Sequence, residues 1–304
     1  MSTTKFPSGL QVSTFEPPPA GFEPLKAADA ELIRHGFPRR PTEDPQAMER
    51  YEAVLRRLQG KFHYIVPTFR RRDDIRHRPL ERIAGTEVYS NWSGAVQHAP
   101  KGRAFRWVQG DWTIPNVYPP TEGEWYYCSN WIGIDGDGSG DVCQAGVECD
   151  IFQLGPFTIR NIYAWWEWFP EVEIPVTNFP VQAGDEITCL ICTSGKGATT
   201  ASVFLANRSS GAATSFAIQA PDGTQLDGNS AEWVVERPEV NGVLANLADY
   251  GSVFFFNADA YDGQAVLDAG QGNNIDMTEG GSVVSEGILD TPTVVQCLYT
   301  GTEP

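Results

Sequence analysis

From about Tyr89 onward the chain alternates apolar and polar residues in short runs such as FRWVQGDWTI (105–114), SVFFFNA (252–258) and TVVQCLY (293–299). Gly, Asn and Asp separate the runs. A period of two along so much of a chain is the mark of strands with one buried and one open face. Long helix-forming runs are few, while 30 glycines and 22 prolines supply turns. The expectation is an all-β domain over residues 84–304, a single antiparallel sandwich or barrel, with no internal repeat.

Charge divides the chain at the same place. Residues 1–83 hold 15 Lys and Arg against 11 Asp and Glu, whereas residues 84–304 hold 7 against 28. The first segment reads as loops and two short helices. In DPQAMERYEAVLRRLQG, Asp44 is the N-cap, Pro45 opens the helix and Gly60 follows its end, with Met48, Tyr51, Val54, Leu55 and Leu58 on one stripe. ADAELIRHG (28–36) is a weaker helix closed by Gly36. The basic run FRRRDDIRHRPLER (69–82) reads as an exposed linker. With net +4 beside a core of net −21, residues 1–83 are expected to be an inhibitory pro-segment or cleft-covering extension.

The overall charge of −17 speaks against nucleic acid and anionic membrane surfaces as partners. No apolar run approaches the ~18–20 residues of a membrane span. The first residues lack the apolar stretch of an ordinary secretory signal.

Chemistry is limited by what the core lacks. His98 is the one histidine beyond residue 83, in the turn-like AVQHAPKG without a nucleophile motif around it. Cys189 and Cys192 form a CxxC, but on a strand that spacing points them to opposite faces, so neither zinc nor any other metal or cofactor is expected. The six cysteines allow up to three disulfides or buried free thiols. Carboxylates and amides remain. In YAWWEWF, Tyr163, Trp165, Glu167 and Phe169 share a face opposite Trp166 and Trp168. An aromatic surround makes ionising Glu167 costly, which suits a group that handles protons or grips substrate. In DVCQAGVECD, Val142, Gln144, Gly146 and Glu148 share a face, and a Gln beside a Gly invites close approach of a substrate. In SAEWVVE, Glu232 and Glu236 oppose Trp233.

Taken in order, NWSGAV (91–96), WIGIDG (131–136), CQAGVE (143–148), AWWEWFP (164–170), AEWVVE (231–236) and LADYGSVFFFNA (247–258) resemble motifs of the glutamic peptidases, or eqolisins, over roughly residues 89–300. The resemblance implies a sandwich of two curved antiparallel sheets, a concanavalin-like jelly roll whose concave face forms a cleft. It implies a catalytic pair at Gln144 and Glu232, and cleft-lining positions at Trp92, Trp131, Asp135, Trp165 and Glu167. It departs from the family at Tyr163 and Phe169, where Asp and Tyr are usual. The implied activity is endopeptidase cleavage of polypeptides at acid pH by a monomer, secreted or in an acidic compartment. A carbohydrate-active sandwich using the same aromatic cleft, as glycosidase or glycan-binding module, is the alternative, but leaves Gln144 without a task.

Overall fold

The computed structural model describes residues 2–42, 44–57, 62–81 and 89–301, and what it describes is nearly all β. The larger sheet runs in the order β1 (Ser2–Lys5), β2 (Gln11–Thr14), β13 (Ala212–Gln219), β12 (Thr200–Asn207), β11 (Glu186–Thr193) and β6 (Trp107–Thr113). It continues through β17 (Ser252–Tyr261), β22 (Val294–Tyr299), β21 (Ser282–Thr291) and β20 (Met277–Glu279). Two short strands lie off this path, β18 (Val266–Asp268) beside β17 and β3 (His63–Tyr64) beside β13.

The second sheet has seven strands among the described residues. Their order is β10 (Ile174–Pro175), β9 (Phe157–Trp168), β8 (Cys143–Leu154), β7 (Trp125–Ile134), β14 (Ser230–Glu236), β5 (Trp92–His98) and β19 (Asn273–Ile275). A small third sheet joins β16 (Val243–Leu244), β15 (Glu239–Val240) and β4 (Ile75–Arg76). Pairing is antiparallel except where β3 runs parallel to β13.

The two large sheets share one apolar core. Trp166, Trp168, Ile132 and Trp233 from the seven-stranded sheet join Ile187, Val203, Phe216 and Phe255 from the larger one. The Trp233 indole N–H donates to the Gln109 carbonyl at 2.7 Å, crossing from β14 to β6. Alternation along β9 therefore sorts its tryptophans as the sequence indicates: Trp166 and Trp168 enter this core, while Trp165 joins a separate cluster on the other face with Trp92, Trp131 and Val234.

The first segment is woven in more deeply than its sequence suggests. Both helices form, α1 at Asp29–Arg34 and α2 at Pro45–Arg57, and the Asp44 carboxylate accepts the Gln46 and Ala47 amides as the N-cap reading requires. Gly60 and Leu58 lie outside the described residues. Tyr51, Val54 and Leu55 of α2 pack on Trp107, Leu190 and Phe204, the outer side of the larger sheet. Residues read as loop become β1, β2 and β3, because β13 offers an open edge for pairing, and Leu10 and Val12 reach the main core.

The linker reading of the basic run does not hold either. Residues 68–75 run beside β10, with Arg70 and Arg72 amides donating to Pro175 and Glu173 carbonyls at 3.2 and 3.0 Å. The chain then crosses the face of the seven-stranded sheet, where His77 is fully buried. Charge explains the docking: Arg71 pairs with Glu171, Arg72 with Asp150 and Arg78 with Glu239. A basic run finds acidic partners on the core instead of solvent.

Candidate active site

Strand register arranges the outer face of the seven-stranded sheet in rows. The first runs Glu167, Gln144, Gly133, Glu232 across β9, β8, β7 and β14. The second runs Trp165, Gly146, Trp131, Val234, and the third Tyr163, Glu148, Ser129, Glu236, ending on Trp92 of β5. Cross-strand partners point to one side, so sequence positions scattered over more than a hundred residues become one surface.

Gly133 separates Gln144 from Glu232. Their backbones are two strand spacings apart, roughly 10 Å, and a Cβ at Gly133 would come within 2.9 Å of the Trp131 ring and 3.3 Å of Gln144 Cβ. The missing side chain leaves the line between amide and carboxyl open. Gly146 serves a different end from the substrate approach its sequence suggests. A Cβ there would meet the Asn130 carbonyl at 2.2 Å and Trp131 Cβ at 2.5 Å, so this glycine makes room for its neighbouring strand.

His77 lies across these rows. Its ring stacks on Trp165 with centroids 3.7 Å apart and planes 5° apart. Nδ1 is 3.1 Å from a Glu236 oxygen and Nε2 is 3.1 Å from a Glu173 oxygen. Its backbone is held as well: the amide donates to Glu167 at 3.0 Å, and the carbonyl accepts the Gln144 side-chain amide at 2.9 Å. Gln144 Nε2 also reaches Glu167 Oε1 at 3.4 Å. Further on, the Leu80 amide donates to the Gly136 carbonyl, and Asn91 binds the backbone at Arg78, Pro79 and Glu81.

Covering this face has an electrostatic consequence. Burial pushes the carboxyls of Glu148, Glu167 and Glu232 well above the usual range. The His77 amide pulls Glu167 partly back, and Ser230 does the same for Glu232. Burial also raises Glu236, with His77 and the Trp131 indole opposing, while Glu173 rises to about 8 and Asp150 to about 7. On the opposite sheet, burial lifts Asp259 to about 7.

A carboxyl with a raised folded-state pKa takes up a proton on folding. Its contribution is complete below the unfolded value near 4 and drains away as pH rises through the folded value. The full-length protein is therefore expected to melt at progressively higher temperature as pH is lowered from about 8 to about 5.5. Asp74, lowered by Arg72, acts in the opposite sense but is one group against many. A melting temperature that is flat or falls over this interval in calorimetry would show that Arg–carboxylate pairs outweigh the buried acids.

Trp92 and Trp131 pack edge to face at 4.7 Å, and the Trp131 indole donates to Glu236 at 2.8 Å. Asp135, at the end of the first-row side of β7, accepts the backbone amides of Asp227, Gly228 and Asn229 at 2.7 to 3.0 Å. It thereby fixes the loop that leads into β14 and so the approach to Glu232. His98 is the last residue of β5 and pairs with Asp137 at the surface, not in a turn of its own. All six cysteines are free, and Cys189 and Cys192 face opposite sides of β11 as their spacing requires. Among the described residues, His77, Glu148 and Glu173 are the one cluster with metal-ligand spacing, their ligand atoms within 4.8 Å of one another.

The family resemblance implies one cleft for Gln144, Glu232, Glu167, Trp92, Trp131, Trp165 and Asp135; the structure gathers the first six on a common face, while the Asp135 carboxylate is taken up by the loop before β14. His77 and Glu173 escaped sequence reasoning. His77 sits in a basic run with no apolar pattern to signal burial, and Glu173 enters from irregular chain just before β10, outside any alternating strand.

An antiparallel β protein with an amide and carboxyl groups in one row, beside a row of indoles on the same face, carries groups suited to hydrolysis. Comparison with known proteins makes this specific. The peptidase A4 family matches residues 90–299, and the chain belongs to that family. Aspergillopepsin-2 of Aspergillus niger is 28% identical over 251 residues, covering 76% of this chain and 84% of the relative. Scytalidopepsin B of Scytalidium lignicola is 24% identical over 233 residues, covering 75% and 82%. Scytalido-glutamic peptidase, solved with a transition-state analogue inhibitor, superposes with a TM-score of 0.60 at 23% identity, over 69% of this chain and 98% of its own.

Proposed function

We propose that this protein is a glutamic endopeptidase acting on polypeptides at acid pH, with Gln144 and Glu232 as its catalytic pair on the concave face of a two-sheet sandwich. The observation that carries this reading is the Gln144–Gly133–Glu232 row, an amide and a carboxyl facing one another across a gap kept free by a glycine. Gln144 already holds a peptide carbonyl, that of His77, through its side-chain NH₂.

Glu232 as carboxylate takes a proton from a water whose oxygen bonds to the scissile carbonyl carbon. Negative charge passes to the carbonyl oxygen, where the Gln144 amide donates. The carbon–nitrogen bond then breaks, and Glu232 returns the proton to the leaving amine. Burial raises the Glu232 pKa in the closed protein, and admitting water to the cleft lowers it again, toward the range where a carboxylate is a base at acid pH. Glu167, beside Gln144, orients that amide.

A glycosidase reading fits less well, since Glu167 and Glu232 stand at opposite ends of the row with Gln144 between them. Incubation at about pH 4 with a denatured protein and, separately, with polysaccharides tests the choice. Peptide release without sugar release is expected, and the reverse would overturn it.

The stretch 75–81 stands where a substrate would lie, so residues 1–83 act as an inhibitory extension in this reading. Because β1, β2 and α2 are built into the larger sheet, only the crossing stretch has to leave. Burial pushes Asp150 up to about 7, so acid neutralises this partner of Arg72 and loosens the stretch. On acidification, mass spectrometry is expected to show a cut within residues 69–88, with activity rising in step. A chain that is fully active while still full length would sink the idea.

A further inference from the structure

His77 occupies more of the cleft than a plug needs to. Its amide and carbonyl meet Glu167 and Gln144 as the backbone of a bound peptide would, and its side chain fills a separate, built pocket. The floor is the Trp165 indole, parallel to the imidazole at 3.7 Å. The two edges are Glu236 at Nδ1 and Glu173 at Nε2, each at 3.1 Å, with Glu148 at 3.8 Å from Nε2. All four residues are buried.

Carboxylate oxygens only accept, so each of the two short contacts needs a proton on one partner. An imidazole meets both at once, as imidazolium between two carboxylates or as neutral ring against one protonated acid. A leucine or phenylalanine in its place would take the imidazole contact away from both buried acids, leaving Glu236 with the Trp131 indole, and a site built for a hydrogen bond discriminates strongly against a ligand lacking it. A lysine or arginine would supply donors but less of the flat contact with Trp165. Arg72, on the stretch leading to His77, is held by Asp74, Tyr163 and Asp150.

We propose that Trp165, Glu173, Glu236 and Glu148 form a side-chain subsite that selects histidine, and after it other cationic side chains, at the substrate residue whose carbonyl is held by Gln144. The inference rests on the peptidase reading and names its substrate class: polypeptides cut on the carboxyl side of histidine. His77 is the resident occupant of that subsite.

Two measurements test it on the full-length chain. Hydrogen exchange at neutral pH reads the pocket without reference to activity. His77→Phe keeps a flat ring on Trp165 but removes both polar contacts, and exchange at residues 77–80 should speed up by about tenfold or more. Unchanged protection in that variant would overturn the subsite. At acid pH, the bonds cut in a denatured protein should be enriched for His, then Arg and Lys, over Leu and Phe by about tenfold or more. Glu173→Gln should lower the His-to-Leu cleavage ratio. Digestion with no such enrichment would overturn the proposal, while absence of any digestion would count against the peptidase reading and leave the exchange result to decide the pocket.

Discussion

Replacing Glu232 by Gln is expected to lower peptidase turnover by about 10²–10⁴-fold while the protein stays folded. The amide keeps the shape of the carboxyl but cannot take a proton from water. Removing a buried acid with a raised pKa should not cost stability, so a melting temperature near pH 8 no lower than that of the parent chain is part of the same expected result. Gln144→Ala removes the donor to the developing oxyanion, a loss of about 10²–10³-fold. Because both groups act on one transition state across Gly133, the double variant should fall well short of the product of the two losses. Glu167→Gln should shift the pH profile and leave measurable turnover, since Glu167 touches Gln144 and the bound backbone without being the base. Near-full activity in Glu232→Gln together with none in Glu167→Gln would move the base to Glu167.

Trp233→Ala is expected to cost about 3–5 kcal/mol of folding stability. The ring is fully buried between the sheets, its indole bonds the Gln109 carbonyl, and a Cβ on Gly110 would come within 3.1 Å of it, so β6 is shaped around this side chain. Urea unfolding measures the effect. Since Trp233 adjoins Glu232, the variant also loses activity, but through loss of folded protein, which separates it from Glu232→Gln. A cost below about 1.5 kcal/mol would mean that the core closes around the void or is not held together through this ring.

Much of the site was legible in the sequence because strand alternation is a local property. Once YAWWEWF, CQAGVE and AEWVVE are strands, Trp165, Glu167, Gln144, Glu148, Glu232 and Glu236 must face away from Trp166, Trp168 and Trp233, whatever the rest of the chain does. The helix signals at Asp44 and Pro45 were equally local, and α2 starts where they indicate.

What the tertiary structure alone decided is which strands stand side by side and what lies over them. Register put Gly133 between Gln144 and Glu232, and set Gly146 against Trp131, where it yields space to a neighbour and not to a substrate. The basic run carried the wrong local message, because charge in a sequence reads as exposure. Its arginines are instead matched by acids brought near from positions up to about a hundred and sixty residues away, and His77 is buried with them through bonds to Gln144, Glu167 and Glu236. The period of a strand fixes the direction of a side chain, since that depends only on its own backbone. The partner of a charge depends on the whole chain's path, which no short window of sequence contains.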